Sequence, residues 1–75
     1  MPELPVLSGI EVVQALARLG FVERRQSVSH RVLHHPQTSR TVPVPIHVGR
    51  DLKPGTLRAI TRQAGLTVEQ SIELL

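Results

Sequence analysis

The chain has 75 residues, a net charge of +3 and no cysteine. A chain this short forms at most one domain, here residues 1–75, and buries only about 60% of the surface that its unfolded form exposes. Without cysteine it has no disulfide and no thiolate nucleophile or ligand, which suits a reducing compartment. No apolar run approaches the ~20 residues that span a bilayer, so we expect a soluble cytoplasmic protein.

The first predicted helix begins after Ser8, and residues 1–7 form an extended lead-in. Ser8 and Glu11 have the spacing of a capping box, in which hydroxyl and carboxylate bind each other's backbone N–H. Gly20 supplies the left-handed position that ends the helix. The predicted apolar stripe of this helix is Ile10, Val13 and Ala17, with Leu16 beside it.

Three strands are predicted next. Phe21–Gln26 and Ser29–His34 form an antiparallel hairpin across a turn at Ser27–Val28, and Arg40–Val44 follows a second turn at residues 35–39. From Thr41 to Ile46 two sets of residues alternate. One set is apolar, namely Val42, Val44 and Ile46, and the other contains two prolines, namely Thr41, Pro43 and Pro45. Because proline donates no ladder hydrogen bond, the third strand belongs at a sheet edge.

Two helices complete the chain. Pro54 stands at the first turn of the second helix and Gly65 ends it, while Thr67 caps a last short helix that runs to Leu75. The residues predicted to face inward are Leu57, Ile60 and Ala64 in the second helix and Val68, Ile72 and Leu75 in the last. This α-β-β-β-α order with a helical extension predicts a two-layer α+β domain, with helices on one face of a three-stranded antiparallel sheet.

The segment from Arg24 to Pro36 is the part of the chain best suited to chemistry. His30 follows a polar turn and has three arginines close by, and residues 24–50 contain no Asp or Glu. Histidine titrates near neutral pH and can move a proton, while arginine matches phosphate oxygens with a rigid, charged fork. Eight of the nine Lys and Arg residues are arginine, and one phenylalanine is the only aromatic among Phe, Tyr and Trp. RNA binding would therefore use phosphate and shape and not base stacking.

The other histidines have simpler interpretations. His34 would share a strand face with His30 at a distance of roughly 13 Å, which is too far to serve one phosphate. His34 and His35 are predicted to be solvated turn residues. A zinc site from His34, His35 and His47 is a weaker alternative, because adjacent strand residues point to opposite faces.

Several short motifs together match one known family. They are Ser8-Gly9, Leu19-Gly20-Phe21, Arg25-Gln26, Ser29-His30, Val42-Pro43-Val44-Pro45, Leu52-Lys53-Pro54-Gly55-Thr56-Leu57-Arg58 and Arg62-Gln63-Ala64-Gly65-Leu66. Through these motifs the chain resembles, over essentially its whole length, the HicA (YcfA-like) toxins of type II toxin–antitoxin systems. The resemblance implies a fold like that of double-stranded RNA-binding domains and endoribonuclease cleavage of mRNA without a metal or other cofactor. It also implies restraint by a cognate HicB antitoxin.

The resemblance places the family's single catalytic histidine at His30. The residues proposed to contact RNA are Arg24, Arg25 and Arg31, which flank it in sequence, and then Lys53, Arg58 and Arg62. The family usually has Gly-Ser-His at the turn, where this chain has Val28 in the glycine position. A primed two-residue turn needs positive φ, which a β-branched residue resists. Val28 therefore predicts either another turn geometry or a redirected His30.

Three classes of function remain open from sequence. The first is a ribonuclease toxin that uses His30 as general acid/base. The second is a catalytically silent RNA-binding module with the same basic surface. The third is a protein-interaction domain that docks a partner on its sheet. An antitoxin that covers His30 and the arginines would present an acidic surface.

Overall fold

The computed structural model describes residues 6–74. The elements are α1 (Gly9–Arg18), β1 (Val22–Gln26), β2 (His30–His34), β3 (Thr41–Pro45), α2 (Pro54–Gln63) and α3 (Val68–Leu74). The strands form one antiparallel sheet in the order β1-β2-β3. The predicted α+β fold, similar to a double-stranded RNA-binding domain, is confirmed. The lead-in at residues 1–5 and the last residue, Leu75, lie outside the described residues.

The core lies between one face of the sheet and the helices. Leu33, Val42 and Val44 are completely buried, α1 contacts β2 and β3, and α2 contacts β3. Because strand side chains alternate, the residues between them point to the other face, on which no helix of residues 6–74 packs. We call this second surface the open face. Burying a side chain the size of Leu33 contributes about 1.5–3 kcal/mol.

Helix α1 is capped as predicted but buries a different stripe. The Ser8 hydroxyl accepts from the Glu11 N–H and the Glu11 carboxylate accepts from the Ser8 N–H. Its buried residues are Gly9, Val12, Val13, Ala15 and Leu16. The prediction was wrong for Ile10 and Ala17, which are exposed. The helix is turned because Gly9 packs on the Pro45 carbonyl, where a Cβ atom would clash.

The second half of the chain follows most of its sequence signals. Pro54 begins α2, and the three predicted residues of its inner face are buried. Thr67 caps α3, where its hydroxyl accepts from the Gln70 N–H at 3.1 Å. The inward position predicted for Ile72 was wrong, because Ile72 is exposed while Ser71 is completely buried. The side chain of Val68 lies outside what the structure describes.

The outer strands have different surroundings. The proline-containing β3 pairs with β2 alone in the described sheet, as the sequence predicts for an edge strand. Every residue of β1 is exposed, so β1 depends on its ladder with β2 more than on burial.

Within residues 6–74, none of the helices combines the length and apolar character needed to cross a membrane.

Candidate active site

The turn between β1 and β2 accommodates Val28 without strain. The Ser27 N–H donates to the His30 carbonyl at 2.8 Å, so Ser27 lies opposite His30 and the turn residues are Val28 and Ser29. Ser39 is the only non-glycine residue with positive φ in the described chain, so this turn is not of the primed type. Of the two outcomes that Val28 predicts, the different turn geometry is the one observed.

Two serines hold His30 at the end of this turn. The Ser27 hydroxyl accepts from the His30 backbone N–H at 3.0 Å and donates to the His30 carbonyl at 3.2 Å. The Ser29 Oγ lies 2.9 Å from His30 Nδ1. His30 is exposed, and within residues 6–74 its Nε2 makes no hydrogen bond. The backbone and Nδ1 of His30 are therefore held in place, while Nε2 has no hydrogen-bond partner within residues 6–74.

A β-bulge in β1 brings two consecutive arginines to one surface. Glu23 pairs with Leu33 and Arg25 pairs with Val32, so Arg24 is an extra residue in β1. Neighbouring residues of a regular strand point to opposite faces, but a bulge re-aims its side chains. Arg24 and Arg25 both line a shallow depression on the open face, together with Val32, His34 and Thr41.

His30 shares the open face with this depression. In β2, His30, Val32 and His34 alternate with the buried Leu33 and so point away from the helices. Ser27 lies opposite His30 and Arg25 opposite Val32, which makes Arg25 a diagonal neighbour of His30. Diagonal neighbours have Cα atoms about 7–8 Å apart, within reach of an arginine side chain.

The other predicted basic residues lie elsewhere. Arg31 points to the helix side of the sheet, where its guanidinium is 3.1 Å from the Glu23 carboxylate. Lys53 lies at the start of α2 and lines a depression that includes Pro45, the strand partner of His30. Arg58 and Arg62 are exposed on α2, which packs on the helix side. Arg24 and Arg25 are thus the predicted RNA contacts that share a face with His30.

His35 is not the solvated residue that the sequence predicts. Its Nε2 lies 3.1 Å from the Leu19 carbonyl, and its Nδ1 accepts from the N–H groups of Gln37 and Thr38 at 3.2 and 3.3 Å. These partners place the proton on Nε2, because a carbonyl only accepts and an N–H only donates. The ring also packs edge-to-face on Phe21, with centroids 5.0 Å apart.

His34 is half-buried on the open face, so the prediction of a solvated turn residue was wrong for it as well. Its Nδ1 lies 3.0 Å from Thr41 Oγ1, while His35 bonds to Leu19 at the end of α1. Residues 6–74 contain no group of three or more His, Cys, Asp or Glu side chains that could hold a metal ion. The zinc alternative from His34, His35 and His47 finds no support in this arrangement.

Sequence reasoning did not identify the positioning role of Ser27 or the bulge at Arg24. The serines on either side of Val28 were a usable signal, because serine hydroxyls often bond nearby backbone groups in turns. The bulge had no comparable signal, because it depends on the register between β1 and β2.

Comparison with known proteins gives one family. Residues 9–66 match the family model described as the HicA toxin of bacterial toxin–antitoxin systems. This range spans both hairpins, α1 and α2 and contains every residue discussed above as a site candidate. A comparison with curated proteins found no match.

Proposed function

Because the chain belongs to the HicA toxin family of bacterial toxin–antitoxin systems, we propose that it is a toxin that cleaves mRNA as a metal-independent endoribonuclease. The observation that carries this proposal is the setting of His30. Its exposed imidazole is positioned by Ser27 and Ser29 and has Arg25 as a diagonal neighbour. A proton-transfer group and a phosphate-binding group therefore lie side by side on an open surface.

The proposed reaction uses the nucleophile that RNA carries. The 2′-oxygen attacks the adjacent phosphorus, the P–O5′ bond breaks, and the products are a 2′,3′-cyclic phosphate and a 5′-hydroxyl. His30 Nε2 takes the proton of the 2′-hydroxyl or returns one to the departing 5′-oxygen, with water or a substrate group completing the transfer. Arginine stabilises the charge that develops on the phosphoryl oxygens.

RNA would bind across the open face through its phosphates. Arg24 and Arg25 provide two guanidinium groups beside His30, and Glu23, the one acidic residue of the three strands, pairs with Arg31 on the helix side. The middle of this surface is apolar, because Val32 and its strand partner Pro43 both lie there. The RNA contacts predicted for Arg31, Lys53, Arg58 and Arg62 remain predictions. Arg31, Arg58 and Arg62 lie on the helix side, which does not strengthen them, whereas Lys53 lines a depression with Pro45, the strand partner of His30.

The proposal extends to the partner and the place of action. We propose that the chain is restrained by a cognate antitoxin of the HicB type and that it acts in the cytoplasm, where mRNA is translated; membership of a toxin–antitoxin family supports both. An antitoxin that covers His30 and the two arginines would carry acidic side chains, since they complement guanidinium groups.

The decisive experiment is cleavage of a labelled single-stranded RNA in EDTA by the wild type and by His30→Ala, with the product ends analysed. We expect cleavage by the wild type to cyclic phosphate ends, and a loss of about 10²–10⁴-fold in His30→Ala. RNA affinity should stay within a few-fold, because Arg24 and Arg25 remain. His34→Ala is the matched control, since His34 lies on the same face and should retain activity.

Two results would contradict the proposal. If neither protein cleaves while both bind RNA, the chain is a silent RNA-binding module. If neither cleaves and neither binds RNA with an affinity that falls steeply with salt, the chain is a protein-interaction domain.

A further inference from the structure

A second exposed histidine lies just beyond the strand that pairs with His30. His47 follows the end of β3 by two residues, and its ring makes no hydrogen bond within residues 6–74. The proposed reaction needs one group that accepts the proton of the 2′-hydroxyl and another that donates a proton to the departing 5′-oxygen. His30 supplies one of these groups, so a neighbouring imidazole is a candidate for the other.

The ladder between β2 and β3 places His47 relative to His30. Pro45 is the strand partner of His30. The Ile46 N–H donates to the Ser29 carbonyl at 2.7 Å, so the pairing continues one residue beyond β3. His47 is therefore a diagonal neighbour of His30 on the adjacent strand. Residues in this relation lie about 7–8 Å apart.

Alternation along β3 puts the two histidines on the same face. Val44 is completely buried, and Ile46, the next residue of the same set, packs against the same core. Pro45 and His47 belong to the other set, which points away from the helices. His30 also points to this open face, so the two imidazoles lie side by side on one surface.

A phosphodiester fits between two imidazoles arranged in this way. The 2′-oxygen that attacks and the 5′-oxygen that departs lie on opposite sides of the phosphorus, and each needs a ring nitrogen within about 2.6–3.2 Å. A single imidazole serves one of these oxygens at a time, whereas imidazoles on adjacent strands serve both. His34 does not meet this condition, because it lies on the same strand as His30 at a distance of roughly 13 Å.

The charged groups around His47 favour an anion beside it. His47 lines a depression together with Pro45, and the charged residues of that lining are Arg50, Asp51 and Lys53. It also lines a second depression, where the charged residue is Arg31, which is paired with Glu23. Cations thus outnumber carboxylates in the first depression. Because Pro45 lies there as well, a phosphate that these cations attract is held next to both rings.

We infer that His47 is the second proton-transfer residue of the site and forms an acid–base pair with His30. The inference rests on the proposed function. The neutral ring takes the proton of the 2′-hydroxyl as the 2′-oxygen bonds to phosphorus, and the protonated ring gives its proton to the 5′-oxygen as the P–O5′ bond breaks. The two rings end the step with exchanged protonation states, and proton exchange with water restores them.

The first test is the pH dependence of RNA cleavage in EDTA. Because one ring must be neutral and the other protonated, kcat/KM of the wild type should rise and then fall with pH. His47→Ala should lower kcat about 10²–10⁴-fold with little change in KM, and its profile should lose one of the two limbs. His30→Ala should lose the other limb. His34→Ala, a histidine of the same face, is the matched control and should keep both limbs.

The second test identifies which ring is the acid. The substrate is a dinucleotide with sulfur in place of the bridging 5′-oxygen, so that its leaving group departs without a proton. The variant that lacks the acid should cleave this substrate nearly as fast as the wild type does. The variant that lacks the base should be slowed as much as on ordinary RNA. We therefore expect the sulfur to rescue one of the two variants, His30→Ala or His47→Ala, and not the other.

The outcomes separate this inference from the proposed function. Wild-type kcat and both limbs in His47→Ala, or sulfur rescue of both variants or of neither, would overturn the pair while the ribonuclease stands. A lower melting temperature of His47→Ala that accompanies its loss of activity would assign His47 to the fold instead. If the wild type cleaves no RNA, the proposed function fails, and the pair fails with it.

Discussion

The turn between β1 and β2 and the turn between β2 and β3 both contain a histidine, but the two histidines have different partners. The backbone N–H and the ring of His30 bond to the two serines of its own turn. His35 joins its turn to the end of α1 through Leu19 and to the core through Phe21. Arg40, at the end of the second turn, also donates to the Gln63 carbonyl of α2 at 3.3 Å. The second turn is therefore bonded to two helices, whereas the first is bonded to no helix and reaches beyond its own hairpin through the Ile46 N–H, which donates to the Ser29 carbonyl at 2.7 Å.

This difference shows which histidine the fold uses and which it leaves with a ring nitrogen exposed to solvent. Both ring nitrogens of His35 are occupied by backbone groups, so its ring serves to connect distant segments. One nitrogen of His30 is held by Ser29 and the other is presented to solvent. Exposure alone does not identify a functional histidine, but exposure with a positioned ring beside arginines is what a proton-transfer residue requires.

The largest contrast is expected from His30→Ala, which separates activity from stability. Cleavage should fall about 10²–10⁴-fold, whereas the free energy of unfolding should change by less than about 0.5 kcal/mol, because surface substitutions have small effects. Chemical denaturation and the cleavage assay on one preparation check this. A melting temperature that drops along with activity would show that His30 supports the fold.

His35→Ala should have the opposite effect. It leaves the Leu19 carbonyl and two N–H groups without their partner and removes the contact with Phe21, so we expect a loss of about 2–3 kcal/mol in unfolding free energy. For a domain of this size that lowers the melting temperature by roughly 10–20 °C. His34→Ala is the control, and its exposed bond to Thr41 should contribute less than about 1 kcal/mol.

Gly20→Ala tests how closely the second turn packs on α1. Gly20 has φ of 98°, and a Cβ atom there would lie 3.0 Å from His35 Nε2. Backbone strain plus this contact should lower the unfolding free energy by about 1–3 kcal/mol. Gly49 has φ of 76° with no atom within 4 Å, so Gly49→Ala reports the strain alone. Equal losses in the two variants would mean that the contact with His35 contributes nothing.

Ser27→Ala and Ser29→Ala test how the first turn positions His30. Ser27→Ala removes the acceptor of the His30 N–H and should lower stability by about 1 kcal/mol and cleavage several-fold. Ser29→Ala should reduce cleavage about as much with no change in stability, because it affects only the ring. Ser29→Thr, which keeps the hydroxyl, should restore cleavage, and a failure to do so would contradict the positioning role.

The smallest effect is expected for single arginines of the open face. In Arg25→Gln, the slope of log RNA affinity against log salt concentration should become shallower by about 1, because one phosphate contact is lost. Arg58→Gln, on the helix side, should leave the slope unchanged. The same decrease in both variants would place RNA on α2 as well as on the open face.

The sequence predicts most of the fold because its strongest signals are local. The capping box of Ser8 and Glu11, the proline that begins α2 and the glycines after α1 and α2 act within a few residues of the chain. The prediction fails for Ile10 and Ala17 because a helix can turn about its axis without losing its periodicity. The close approach of Gly9 to Pro45, two residues far apart in the chain, sets that rotation.

The sequence by itself determined the order of elements, the edge position of β3 and the place of His30 just after a polar turn. Only the tertiary structure decided that Arg24 and Arg25 share the face of His30, that Arg31 does not, and that His35 belongs to the fold. The physical reason is strand register. One extra residue in β1 re-aims the side chains around it, and that residue is placed by pairing with β2. The bond from His35 to Leu19 likewise joins residues that meet only when the sheet packs on α1.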